Sequence, residues 1–184
     1  MPRRRRNPVD DPRVLRFLDL TRSYCALVEA PEKVEIRVFV ERCYYGLLNL
    51  LATAPELPVV EGDLDTCRVT SDEYRKVAQG ILSKVSKHDL YWMVFEPFEV
   101  SRPNAIYGSI SDDLADTWRD LKTGLNAANA GKLVNAVCDW RFSFETHWGP
   151  FHGTHTISPL FRLCIGEDAI LKKSQRRHTP RKPK

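Results

Sequence analysis

Four aspartates fall within nine residues of this chain: Asp112, Asp113, Asp116 and Asp120. If the segment from Ser111 is helical, a turn of about 100° per residue puts Asp113, Asp116 and Asp120 within roughly 60° of one another. Asp112 lies nearby. The stripe flanks an apolar face of Ile110, Leu114, Trp118, Leu121 and Leu125. Carboxylates stacked this way repel and cost helix stability. The positive helix N-terminus suits Asp112 and Asp113 but does not reach Asp116 or Asp120. A cation is therefore expected to answer the stripe. Asp112-Asp113-Leu-Ala-Asp116 also has the D-D-x-x-D spacing of isoprenoid synthases, where hard oxygen ligands hold Mg²⁺ against a diphosphate. Mg²⁺ or Mn²⁺ on Asp112, Asp113, Asp116 and Asp120 is the metal chemistry this pattern permits. The chain is short for such an enzyme and has no clear second acidic motif, and one motif match is only a hypothesis.

A second group is Arg141, Glu145 and His147. Around them, Leu133, Val134, Val137, Cys138, Trp140, Phe142, Phe144 and Trp148 cover over half the circumference of a helix. Arg141 and Glu145 project from the middle of that arc, four residues apart, so they can pair. A buried ion pair costs several kcal/mol per ion unless fully hydrogen-bonded. It therefore either fixes how helices dock or serves a catalytic pocket. The economical expectation is one shared network, with Arg141 donating to Asp116 or Asp120 and Glu145 or His147 completing it. His152 and His155 follow at i, i+3, a spacing that suits a shared metal, but Gly149, Pro150 and Gly153 leave their geometry undefined. No H-E-x-x-H, no Ser/His/Asp or Cys/His arrangement and no phosphate-cradling Gly loop occurs; the nine glycines are scattered.

The elements that must position these groups read as helices. The first opens at Asp11 with Pro12 at its first position, where a missing N–H costs nothing. Val14, Phe17, Leu18, Tyr24, Cys25 and Val28 then recur at helical spacing. A second runs from Glu32 to about Ala52, apolar nearly all round and hence expected to be central. Residues 53–70 form a connector marked by Pro55, Pro58 and Gly62. Thr70 and Glu73 have capping-box spacing, ahead of the stripe Tyr74, Val77, Ala78, Ile81, Leu82 and Val85. Asp89 to Phe98, with Tyr91, Trp92, Phe95 and Phe98, reads as an irregular aromatic connection, or a short strand without a clear partner. Ser109 or Ser111 caps the aspartate helix, which runs to about Ala127. Another helix follows Gly131 to about Trp148, where Gly149, Pro150 and Gly153 break it. A last short helix covers 159–165. The fold class expected is all-α: a compact single-domain bundle of about five to six helices with an aromatic-rich irregular connector. Trp118, Leu121, Leu125, Val134, Cys138 and Trp148 should share its core.

The chain has 184 residues, 42% hydrophobic, with 18 aromatics, enough for a real core. No stretch approaches the roughly 20 apolar residues of a membrane span, and the arginines at residues 3–6 precede no apolar run of a secretory signal. The five cysteines are odd in number, widely spaced and without C-x-x-C. They read as small buried hydrophobes in a reducing, cytoplasmic compartment. The net charge of +4 is set by the ends. Residues 1–6 hold four basic side chains and 172–184 hold seven, with no acid in either. Removing these eleven from the 28 basic residues leaves 17 against 24 acids, so the body carries −7. A folded nucleic-acid reader carries its positive charge on the fold. The expected organisation is a disordered basic tail over 1–10, a helical domain over 11–171 and a second disordered basic tail over 172–184. Such tails would bind polyanions weakly and in a salt-dependent way.

Phe17-Leu18 with Tyr24-Cys25, Tyr91-Trp92 with Phe95-Glu96-Pro97, Ser111-Asp-Asp-Leu-Ala-Asp116 with Arg119-Asp120-Leu-Lys122, and Trp140-Arg-Phe-Ser-Phe-Glu145 with His147-Trp-Gly149 together resemble a bacterial family of unknown function, domain of unknown function 5063. The resemblance spans about residues 13 to 165, and its last two blocks are the specific ones. It implies a compact helical protein and no particular activity. The family pattern continues directly into a helix after a His shortly past H-W-G, whereas Pro150, Gly153 and Pro159 intervene here around His152.

Three functions fit these residues, in this order. The first is a helical interaction or regulatory module with a protein partner, its Asp/Arg/Glu/His cluster being structural. The second is a metal-dependent enzyme acting on a phosphorylated or nucleotide-like substrate, with the aspartates as ligands and Arg141 and His147 holding phosphate. The third is a nucleic-acid-associated accessory protein working through its tails.

Overall fold

A computed structural model describes residues 10–95, 97–101 and 104–165. The chain folds into helices α1 (Pro12–Glu29), α2 (Ile36–Thr53), α3 (Ser71–Val85), α4 (Ile110–Asn129), α5 (Leu133–Ser143) and α6 (Thr154–Cys164), with a hairpin of β1 (Leu90–Val94) and β2 (Ala105–Ser109) between α3 and α4. The expected tails over 1–10 and 172–184 lie outside the described residues, apart from Asp10. Among the described residues no helix is long and apolar enough to cross a membrane, and all five cysteines are free thiols. Burial pushes the thiols of Cys25 and Cys43 far up and that of Cys164 to about 11, so these three behave as apolar side chains.

Local chemistry sets the helix starts. Asp11 caps α1 by accepting from the Arg13 N–H at 3.0 Å, with Pro12 at the first position. Thr70 and Glu73 close a reciprocal capping box at α3. Ser109 caps α4, accepting from the Asp112 N–H at 3.2 Å. Asp89, at the base of β1, accepts from the Ser111 N–H at 2.7 Å and from the Ser109 hydroxyl at 2.9 Å. The hairpin is thus welded to the start of α4. At the other end of α4, Gly131 takes φ +77, and the Lys132 N–H and Gly131 N–H return to the carbonyls of Ala127 and Ala128. This Schellman pattern turns the chain back within three residues, so α5 packs antiparallel to α4.

α4 is the central element. It touches α1, α3, α5, α6 and β2, and Ile110, Leu114, Trp118 and Leu121 are all buried. α2, expected to be central, lies to one side: Phe39, Val40, Cys43, Leu47 and Leu50 are buried while Val38 and Leu48 are only partly so. Trp140 of α5 is fully buried, packs on Phe17 at 5.3 Å between ring centroids, and donates its indole N–H to the Leu121 carbonyl at 2.9 Å. Gly124 makes this approach possible, because a Cβ there would stand 2.3 Å from Trp140 Nε1. Burying about 150–250 Å² of tryptophan at about 25 cal/mol per Å² stabilises the fold by at most about 4–6 kcal/mol. Of the expected core, Trp118, Leu121, Leu125 and Trp148 are buried. Val134 and Cys138 sit half-buried at its edge.

Two expectations need correction. The aromatic connection takes the strand alternative over Leu90–Val94, and the strand has a partner: β1 pairs antiparallel with β2, Trp92 opposite Tyr107. Its partner went unrecognised because Ala105–Ser109 holds few strand-forming residues and runs directly into α4. Nor is the chain broken at Gly149, Pro150 and Gly153. Residues Phe144–Gly153 form a π-helical stretch that joins α5 to α6 without interruption. Pro150 has no N–H to give, and its ring would clash with a carbonyl one α-helical turn back. Widening the helix absorbs that conflict. Gly149 is required inside it, since a Cβ there would lie 2.3 Å from the Phe144 carbonyl oxygen.

Candidate functional site

The aspartate stripe of α4 faces the π-helical stretch, as expected of consecutive antiparallel helices. What meets it there is two histidines. His147 Nδ1 lies 2.7 Å from Asp120 Oδ2, and His152 Nδ1 lies 3.0 Å from Asp113 Oδ1. The two rings are 4.7 Å apart. In an α-helix residues five apart diverge by about 140°. The wider π turn restores them to one face. That geometry, not the i, i+3 spacing of His152 and His155, creates the histidine pair. His155 turns instead toward Phe95, 6.0 Å between ring centroids.

Asp113 is the hub. Its Oδ1 receives His152, and its Oδ2 accepts from the Tyr91 hydroxyl of β1 at 2.5 Å and from the Thr156 hydroxyl of α6 at 2.8 Å. One carboxylate thereby ties α4, the hairpin, the π stretch and α6 together. Asp116 pairs with Arg119 at 2.6 Å and approaches His152 Nε2 at 3.7 Å. Arg119 also lies 3.8 Å from Asp120 and over the Tyr74 ring. Asp112 points elsewhere, accepting from the Tyr74 hydroxyl at 3.0 Å. Burial pushes the Asp116 and Asp120 carboxyls above the usual range, against the pull of Arg119 and the histidines. Burial would lower His152, but the bond to Asp113 and the charges of Asp116, Asp113 and Asp112 outweigh it, and its value is raised. Burial and the bond to Asp113 push the Tyr91 phenol far up, so it stays a donor.

Of the expected site residues, the structure brings together Asp113, Asp116, Asp120 and His147. It leaves out Arg141 and Glu145. These two do pair, at 2.7 Å, but with side chains 29% and 52% exposed. Arg141 gives its other contact to the Leu57 carbonyl at 2.8 Å. The shared Arg141–aspartate network is therefore corrected: the arginine on the stripe is Arg119, from the same helix. The apolar arc was overdrawn, since Phe142 is itself half-exposed. The D-D-x-x-D reading fares similarly. Asp112 and Asp113 diverge to different tyrosines, and among the described residues no three His, Cys, Asp or Glu side chains are grouped to hold a metal ion. Tyr91, Thr156, Arg119 and His152 were missed as members. For His152 the i, i+3 spacing points to His155, whereas the partner in the fold is His147, five residues back across Gly149-Pro150.

A second feature lies on the hairpin. Leu90, Trp92 and Val94 alternate onto its outer face together with Tyr107. Leu90, Trp92 and Tyr107 are 68%, 62% and 64% exposed, and the Trp92 and Tyr107 rings lie 3.9 Å apart. The inner side is held down by Tyr91 on Asp113 and by Phe95 stacked on Phe151 at 5.5 Å.

Similarity to known proteins agrees with this architecture. No functionally curated protein matches the sequence. The crystal structure of protein BF1032 from Bacteroides fragilis, a structural-genomics target, superposes with a TM-score of 0.74 over 90% of this chain and 100% of that one, at 22% identity. That likeness is one of fold. The family model described as domain of unknown function DUF5063 matches residues 9–154, and the chain belongs to that family.

Proposed function

We propose that this domain is a helical interaction module that engages a protein partner through the outer face of its hairpin, with the Asp/His cluster as the clamp that holds the hairpin in place. The observation that carries this reading is the contiguous exposed face of Leu90, Trp92 and Tyr107 on a two-stranded sheet tied to α4 through Tyr91 and Asp89. Contiguous apolar patches on a folded surface mark contact sites, and tryptophan and tyrosine are the side chains that anchor interfaces. The cluster fits the supporting role because its members spend their hydrogen bonds on one another. Basic residues at both ends would add a weak, salt-dependent attraction for polyanions.

The test compares wild-type chain with a Trp92→Ser/Tyr107→Ser variant whose melting temperature is first shown to be unchanged. A protein captured by the wild type, absent from the variant, and bound by purified wild-type chain in a two-component titration supports the reading. Identical capture by both chains refutes it.

A further inference from the structure

A groove of about 680 Å³ runs between α1 and α2. Leu20 and Leu27 line it from α1 and Val38 from α2, each half-buried, while Tyr45 stands 51% exposed beside them. Its floor is closed by Tyr24, which is buried and donates its hydroxyl to the Leu114 carbonyl at 3.0 Å. Exposed Lys33, Glu41 and Arg42 complete the lining, and among the described residues none of the three is in an ion pair. An apolar groove edged by charge of both signs suits an apolar occupant that carries both charges. The described chain ends close by. α6 lies along α2, with Phe161 6.0 Å from Tyr44 between ring centroids and Tyr44 5.1 Å from Tyr45. Burial, and after it the charge of Glu41, raise the Cys164 thiol, so the last turn of α6 sits within reach of a groove residue. Ile165 is the last described residue and is 54% exposed.

The chain continues as Gly166-Glu167-Asp168-Ala169-Ile170-Leu171-Lys172-Lys173, a short apolar run between two acids and two bases. Extended, residues 166–171 span about 20 Å, whereas α2 from Val38 to Tyr45 covers about 10 Å, so the run can reach the whole groove. Residues 1–9 hold no such run, only Met1 and Val9 among Arg, Asn and Pro. We propose that the groove between α1 and α2 is a binding site for a short apolar segment, and that this chain's own Ala169, Ile170 and Leu171 occupy it. Glu167 and Asp168 then meet Lys33 or Arg42, and Lys172 or Lys173 meets Glu41. The seven basic residues from Lys172 onward oppose a body that carries −7, so charge favours the same docking. The short link keeps the segment at a high effective concentration beside its site. A second copy fits less well, because two grooves brought face to face leave each other hollow.

The experiment observes the full chain by NMR with the Ala, Ile, Leu and Val methyls labelled. Nuclear Overhauser contacts are expected from the Ile170 and Leu171 methyls to those of Leu27 and Val38 and to the Tyr45 ring. A mixture of labelled and unlabelled chains, filtered for contacts between molecules, should not show them. In Ile170→Asp/Leu171→Asp the groove methyls of Leu20, Leu27 and Val38 should shift, while the core methyls of Leu47 and Leu114 stay in place and report an intact fold. A synthetic peptide of residues 166–173 should then move the same groove methyls in the variant. Wild type, its groove already filled, should need about tenfold more peptide for the same response. Absence of the contacts in wild type, contacts only between molecules, a variant blind to millimolar peptide, or an equal response of both chains would each overturn the proposal. The hairpin takes no part in these readouts, so Trp92→Ser/Tyr107→Ser should show the wild-type contacts.

Discussion

Replacing Asp113 by Ala tests whether the cluster is the clamp. The side chain removed accepts from three groups on three elements: Tyr91 in β1, His152 in the π stretch and Thr156 in α6. Thr156 is fully buried, so its hydroxyl loses its acceptor with no water to replace it, at about 1–3 kcal/mol. His152, largely buried, loses its principal counter-charge, and breaking a buried ionic pair on one side costs about 3–5 kcal/mol. Tyr91 can turn to solvent and contributes least. These terms share one carboxylate and do not add, so the whole loss is expected at about 3–5 kcal/mol. At about 2–4 °C per kcal/mol for a chain of this size, the melting temperature should fall by about 6–20 °C. Tyr91→Phe, which removes one hydroxyl, should cost about 1–2 kcal/mol. Denaturant unfolding gives the energies, and hydrogen exchange gives the place. Amides of Leu90–Val94 and Ala105–Ser109 should exchange faster in Asp113→Ala, while those deep in α1 and α2 change only with global stability. A loss below about 1 kcal/mol, or hairpin exchange unchanged relative to α1, would refute the clamp.

Three further outcomes follow from the same geometry. Gly149→Ala sets a Cβ 2.3 Å from the Phe144 carbonyl oxygen; it should destabilise by about 1–3 kcal/mol or more and weaken the His147–His152 contact, seen as altered histidine titration by NMR. Arg141→Met, which removes a half-exposed pair and one bond to the Leu57 carbonyl, should cost only about 1 kcal/mol by denaturant titration; a loss of several would return Arg141 to the core. Finally, His152, Asp116 and Asp120 all hold protons more tightly when folded than their ordinary values. The His152 contribution is therefore complete below its ordinary value of about 6.5 and is lost as pH rises through its raised folded value. Melting temperatures should fall as pH rises above about 6.5, less so in His152→Gln, and an equal slope in both chains would exclude His152 as the source.

Much of this protein was legible from one strand of residues because its causes are local. Helix starts at Asp11, Thr70 and Ser109 rest on side chains reaching backbone two or three residues on. The apolar repeats of α1, α3 and α4 follow from a fixed angle per residue, and so does the Asp113/Asp116/Asp120 stripe. What failed was whatever depended on a change of that angle or on a partner distant in sequence. Pro150 reads as a stop, yet packing against α4 makes a π-helical widening preferable to a break, and the widening alone puts His147 beside His152. Tyr91 lies 22 residues from Asp113 and Thr156 lies 43, separations over which no periodicity carries information. Arg141 and Glu145 were correctly paired and wrongly buried: spacing of four determines that two charges meet, but only the packing of α5 determines which face looks outward. Residue types and their spacing set which groups could ionise, pair and cap. Packing set which of them are dry, and so which aspartate, Asp113, meets groups from three other elements instead of water.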